Sequence, residues 1–297
     1  MIDLRYHIVS IVAVFLALGL GILIGSSIVS DDLMVTQQQK IIDRLEEQFS
    51  TLRERENNLL AENASQSRII NNYENFSQGM LVPIVKDRLQ GTDLAVVVSG
   101  DREIPANLIN SLTIAGANVT SQTVILGNIN MKDAALRAKL IEFYALESNV
   151  ASDVLRTRVA VSVGMLLANK LSPEAQKFLE DNNLIKTSGS YSNPVDKVIL
   201  IGGTDKLNTS FPESFDTGLI NTLISEGQQI IGVESSLTKY SYMKTFQKYN
   251  MITIDNIDLS LGQISLVLAM IGEPGDYGTK STAVKFMPSL PVEYLRR

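Results

Sequence analysis

Five carboxylates stand where an α/β fold could use them: Asp101, Asp205, Glu234, Asp255 and Asp258. They fall in four short polar segments, Ser99-Gly100-Asp101, Gly202-Gly203-Thr204-Asp205, Glu234-Ser235-Ser236 and Asp255-Asn256-Ile257-Asp258, each directly behind an apolar run. In open α/β sheets, ligands bind beyond the carboxyl ends of the strands. Carboxylates, hydroxyls and glycines gathered there suit a cation or a small polar ligand. The same residue types also build turns and cap the helices that follow strands, and this plainer use is the preferred reading. An enzyme working through these groups would need Asp255 and Asp258 to converge with Asp101 in one pocket.

Composition excludes much other chemistry. The chain has no cysteine, so disulfides, thiolate metal sites and cysteine nucleophiles are out. That absence leaves the redox compartment open. The single histidine, His7, lies beside an N-terminal apolar run, so the remainder has no imidazole for catalysis or for zinc. Gly100 and the Gly202-Gly203 pair lack the further glycines of a dinucleotide fingerprint. Neither a P-loop nor a serine nucleophile elbow is present. The chain is therefore read as a non-enzyme, with no cofactor and no metal site assigned. A net charge of −6 without a basic block offers no face to nucleic acid.

The elements that must position the carboxylates are legible as alternating runs. Stretches 94–98, 119–126, 195–201, 229–233 and 251–254 are short, apolar and bounded by turn residues, as buried strands are. Helical patterns fill 104–115, 132–146, 150–171, 215–226, 240–249 and 259–271, the third with Gly164 as a candidate interruption. Ser172-Pro173-Glu174 opens another helix, with serine as cap and proline in the first turn, which stops near Asn182-Asn183. Asp153, Arg156 and Arg158 make 150–171 too polar for a membrane span. Strand–helix alternation with continuous apolar strands predicts a mostly parallel sheet covered on both faces. The expected fold is one three-layer α/β domain over 92–297, with two lobes joined near residue 188 as the alternative and 272–297 wrapping over the surface.

Two segments precede that domain. Residues 8–29 form an apolar run without charge. As a helix it reaches roughly 33 Å, about a hydrocarbon core. An uncleaved anchor over 1–30 is the preferred reading, and a signal peptide cut near Gly25 or Ser27 is the alternative. Arg5 lies before the run and Asp31 and Asp32 directly after it, which predicts a cytoplasmic N-terminus and an extracytoplasmic domain. Ala13, Ala17, Gly21 and Gly25 recur every four residues, a spacing that lets a second membrane helix approach closely.

Residues 31–80 read as a coiled-coil stalk. Val35, Ile42, Phe49, Glu56, Asn63 and Ile70 fill one heptad position. Gln38, Leu45, Leu52, Leu59, Gln66 and Tyr73 fill the other. Alternating spacings of three and four are those of a coiled-coil seam, and a polar seam residue such as Asn63 can fix register and strand number. A parallel homodimer is expected, since two spans would already hold two stalks side by side. A lone amphipathic helix lying back on the domain is the alternative. Gly79, Pro83 and Gly91 then punctuate the chain, and Pro83 is expected to end or kink the helix.

The opening Met1-Ile-Asp-Leu-Arg5-Tyr-His7-Ile-Val-Ser10, with Ala13-Val-Phe15-Leu-Ala-Leu18 and Gly21-Ile-Leu-Ile-Gly25, resembles the start of the actinobacterial MctB family, also called SteB. So do Val233-Glu234-Ser235, Ile254-Asp255-Asn256-Ile257-Asp258, Gly262-Gln263, Gly275-Asp276-Tyr277-Gly278 and Pro288-Ser-Leu-Pro291. The resemblance covers nearly the whole chain and is specific at both ends. It implies a role in copper homeostasis and export. It also implies a membrane protein that pairs through its coiled coil with a SteA-like partner in controlling cell-wall hydrolysis at division. The residues bear unevenly on copper. Copper(I) sites want cysteine or clustered methionine and copper(II) wants histidine, whereas Met34, Met80, Met131, Met165, Met243 and Met251 are scattered.

Overall fold

The apolar N-terminal run and the heptad segment form one helix. In the computed structural model, which describes residues 4–206 and 211–290, α1 runs over Leu4–Val85. No side chain is described for residues 4 and 27–33. Met1 to Asp3, residues 207–210, Pro291 and the side chains of Asp31 and Asp32 therefore lie outside the described residues. Pro83 lies inside α1 and the helix ends just beyond it at Val85, near where a proline is expected to end or kink it. Leu81, Ile84 and Val85 are buried in a core that holds this last turn. Two compact units result, Met1–Asn71 and Asn72–Arg297, and the second begins within α1.

Unit two is a seven-stranded sheet flanked by helices. Its strands are β1 (Asp93–Val98), β2 (Asn118–Ile125), β3 (Ile185–Gly189), β4 (Lys197–Ile201), β5 (Gln229–Val233), β6 (Ile252–Ile254) and β7 (Asp276–Tyr277). They lie in the order β3-β2-β1-β4-β5-β6-β7, so both halves of the chain share one sheet rather than forming two lobes. All neighbours are parallel except β3, which pairs antiparallel with β2. The chain builds outward from β1 in one direction and then, from β4, in the other. Parallel strands need crossover connections, and the helices that cover the sheet are α2 (Ala106–Ile114), α3 (Ala134–Phe143), α4 (Ser152–Leu167), α5 (Pro173–Asp181), α6 (Thr217–Ser225), α7 (Met243–Phe246) and α8 (Ser260–Ile271).

Alternation along β1 assigns its side chains to two cores. Ala95 and Val97 face α3, α4, α5, α6 and α7. Leu94, Val96 and Val98 face α2, α8 and the end of α1. Burial on both faces explains why the strands are apolar at consecutive positions. Gly164 does not interrupt α4; it lets α4 lie against α6, since a Cβ there would sit 2.6 Å from Thr222. Arg156, buried on the same helix, donates to the Ile129 and Asn130 carbonyls and stacks 3.8 Å over the Phe211 ring. Ser172 caps α5 by accepting from the Ala175 amide, with Pro173 as first residue.

Candidate functional site

The parallel strands deliver their carboxyl ends to one edge, and the strand order reverses between β1 and β4. That reversal is where open α/β sheets place ligands. Here the loops after β1 and β4 meet through backbone. Ser99 and Gly100 amides both donate to the Ile201 carbonyl, and a Cβ on Gly100 would lie 2.0 Å from the Gly203 oxygen. Only glycine permits this approach.

The five carboxylates of this edge separate into three groups. Asp101 accepts from the Asp205 amide at 3.1 and 3.2 Å. Asp205 in turn accepts from Arg102 at 2.7 Å and from the Lys239 amide at 3.2 Å. The Arg102 hydrogen bond holds the Asp205 carboxyl below its usual range. These contacts tie the loops after β1, β4 and β5 together. Asp258 accepts from the Ser236 amide at 2.6 Å and the Ser236 hydroxyl at 2.7 Å. Glu234 and Asp255 form the third group, and both are buried. Glu234 accepts from Lys280 Nζ at 2.7 Å, Ser241 at 2.7 Å and the Tyr242 amide at 3.0 Å. Asp255 accepts from the Thr279 and Lys280 amides at 2.8 and 2.9 Å.

All five groups thus accept hydrogen bonds from the loops they position, as turn formers do. The convergence that an enzyme would need does not occur. Asp101 partners Asp205, Asp255 partners the 279–280 backbone, and of the five only Asp258 lines the cleft on this edge. That cleft, about 370 Å³, is bordered by Arg102, Ile104, Pro105, Ser235, Ile257 and Asp258. Among the described residues no group of three or more His, Asp or Glu side chains is placed to hold a metal ion.

Two participants escape sequence reasoning. Lys280 supplies the cation for Glu234 from 46 residues away, out of a stretch with no helical or strand pattern. Asp216, buried where α6 begins, accepts a short hydrogen bond from the Ser99 hydroxyl. Burial pushes its carboxyl up to about 7, against the opposing effect of the Ser99 bond.

The other predicted residues lie on α1. Ala13, Ala17, Gly21 and Gly25 are exposed. Seam residues Ile42, Leu45, Phe49, Leu52, Leu59, Asn63, Ile70 and Tyr73 are exposed as well, Leu45 at 46% and Leu52 at 61%. Over Arg5–Ser26 the helix is long and apolar enough to cross a membrane.

The family model described as Copper transport outer membrane protein, MctB, matches residues 1–288. The chain belongs to the MctB family. That match takes in the apolar N-terminal helix, the heptad segment and the whole sheet. No curated protein matches the chain. Family and apolar helix agree on a membrane-associated envelope protein related to copper transport. The matched stretch of this chain contains a long N-terminal helix and a helix-covered, mostly parallel sheet.

Proposed function

We propose that this MctB-family protein is a non-enzymatic, single-span envelope protein that serves copper homeostasis as a parallel homodimer. In this reading it acts through its surfaces rather than by conducting copper itself. The observation that carries the reading is the exposed apolar row of α1, from Ile42 to Tyr73. Such a row in water calls for a partner, and its heptad spacing calls for a helix. Copper as substrate finds no soft ligand set in the chain, which has no cysteine, one histidine and dispersed methionines. The N-terminus lies in the cytoplasm and the sheet domain outside it.

Replacing Leu45, Leu52 and Leu59 together with glutamate tests this. In cells lacking the gene, the wild-type chain is expected to restore growth on copper and the triple variant to fail, with both present at equal levels. Full rescue by the triple variant removes the surface-driven reading. Unchanged copper tolerance on deletion removes the copper role.

A second reading is favoured by the polar middle of the row, where Glu56, Asn63 and Gln66 are exposed. There the stalk recruits a SteA-like protein that controls cell-wall hydrolysis and cell division. Pull-down from membranes should then lose that partner in the triple variant while the sheet domain stays folded, and retained partner counts against it.

A further inference from the structure

Four strand ends meet around the cleft on the sheet's carboxyl edge. Arg102 follows β1, Ile201 closes β4, Ser235 follows β5 and Asp258 follows β6, and all four line it. At about 370 Å³ it falls in the lower range of small-molecule sites. Ile201 and Ile257 in its wall are buried, and Ile104 and Pro105 are half-buried. An apolar wall carrying a few fixed polar groups is the usual make-up of a ligand site.

The two charges held by this wall are opposite and do not pair with each other. Arg102 Nη2 is committed to the Asp205 carboxylate at 2.7 Å and to the Leu237 carbonyl at 3.0 Å. Asp258 is committed to the amide and hydroxyl of Ser236. These bonds fix each side chain to its own loop and leave each one incomplete. A guanidinium has five N–H donors, and among the described residues Nη1 and Nε of Arg102 find no acceptor. Asp258 meets two neutral donors and, among the described residues, no cation. Ser235 is buried, and its hydroxyl accepts from the Leu237 amide at 3.4 Å. The proton of that hydroxyl has no acceptor among the described residues.

Opposite charges kept apart in one cleft match a ligand that carries both. A singly charged ligand would complete one of them and desolvate the other without a partner. A zwitterion completes both through charge-assisted hydrogen bonds.

We propose that this cleft binds a free α-amino acid with an apolar side chain. Its ammonium donates to Asp258. Its carboxylate accepts from Arg102 Nη1 and the Ser235 hydroxyl, and its side chain lies against Ile201 and Ile257. Both charged anchors are already held by protein contacts, so binding has little ordering to supply. The site belongs to the sheet domain and does not depend on pairing of the stalk.

Isothermal titration of the full-length chain in detergent with L-alanine, L-leucine and L-phenylalanine tests the site. At least one is expected to bind, and roughly tenfold more tightly than its own N-acetyl and amide derivatives, each of which lacks one charge. Asp258→Asn keeps an acceptor for Ser236. It is expected to abolish the advantage over the N-acetyl form and to preserve the advantage over the amide. No binding of any of the three amino acids to the wild-type chain overturns the proposal, and so does equal binding of the derivatives. These wild-type comparisons hold whether or not a variant folds. Loss of the preference in Glu103→Gln but not in Asp258→Asn would give the ammonium to the exposed Glu103 on the same rim and overturn the assigned anchor.

Discussion

Glu234 is the residue whose environment most constrains the domain. Its carboxylate is fully enclosed and its cation is Lys280. Removing one partner of a buried pair leaves an uncompensated charge, which costs about 3–5 kcal/mol. Lys280→Met is expected to lower stability by that order in chemical denaturation of the full chain. Adding Glu234→Gln should recover part of the loss, since no naked charge then remains. Asp216 makes a prediction of opposite electrostatic origin. Burial raises its carboxyl to about 7, above the unfolded value of 3.8. The folded state therefore holds a proton that the unfolded state releases first. The favourable contribution is complete below pH 3.8 and is lost as pH rises through about 7. Asp216→Asn should flatten this slope, so its stability relative to wild type is higher at pH 8 than at pH 5. Neither pairing is written in local sequence. Ser99 and Asp216 are 117 residues apart, and nothing in the pattern around either one names the other.

At the scale of elements, strands buried on both faces announce themselves as apolar runs, and β1, β4 and β5 lie where those runs predict. β3 was illegible because only Ile185 of its five residues is buried, leaving Lys-Thr-Ser-Gly to read as a turn. Its antiparallel direction follows from its position on the edge, where only β2 constrains it. β7 has two residues and carries no periodicity at all. Its place depends on the Thr279 and Lys280 amides reaching Asp255. The union of α1 with the domain was likewise hidden, since Pro83 reads as a terminator while Leu81 and Ile84 read as any apolar pair. Glu74 makes that union testable. It satisfies the first amide of α8 and brings a negative charge to the positive helix end, contacts of about 0.5–2 kcal/mol. Glu74→Ala should cost that amount in denaturant titration of the full chain, and Glu74→Gln, which keeps an acceptor, should cost less.

For the molecule as a whole, the proposed single span makes a topological prediction about which side of the membrane holds the sheet domain. With Arg5 before the span, protease added to intact cells is expected to remove the entire sheet domain, as immunodetection of a C-terminal tag reads out. Protection of that tag would reverse the orientation. The α/β class was legible because it depends on composition and short-range period. The backbone contact between the loops after β1 and β4 was not, because it depends on two glycines meeting across the sheet. The pairing of Glu234 with Lys280 also bears on how the chain is made. A ribosome delivers the glutamate first and its counter-charge 46 residues later. Until then the nascent sheet carries a carboxylate that cannot be enclosed without its cation. A chain truncated before Lys280 is therefore expected to be less resistant to proteolysis than the full chain, as limited digestion of the two reads out.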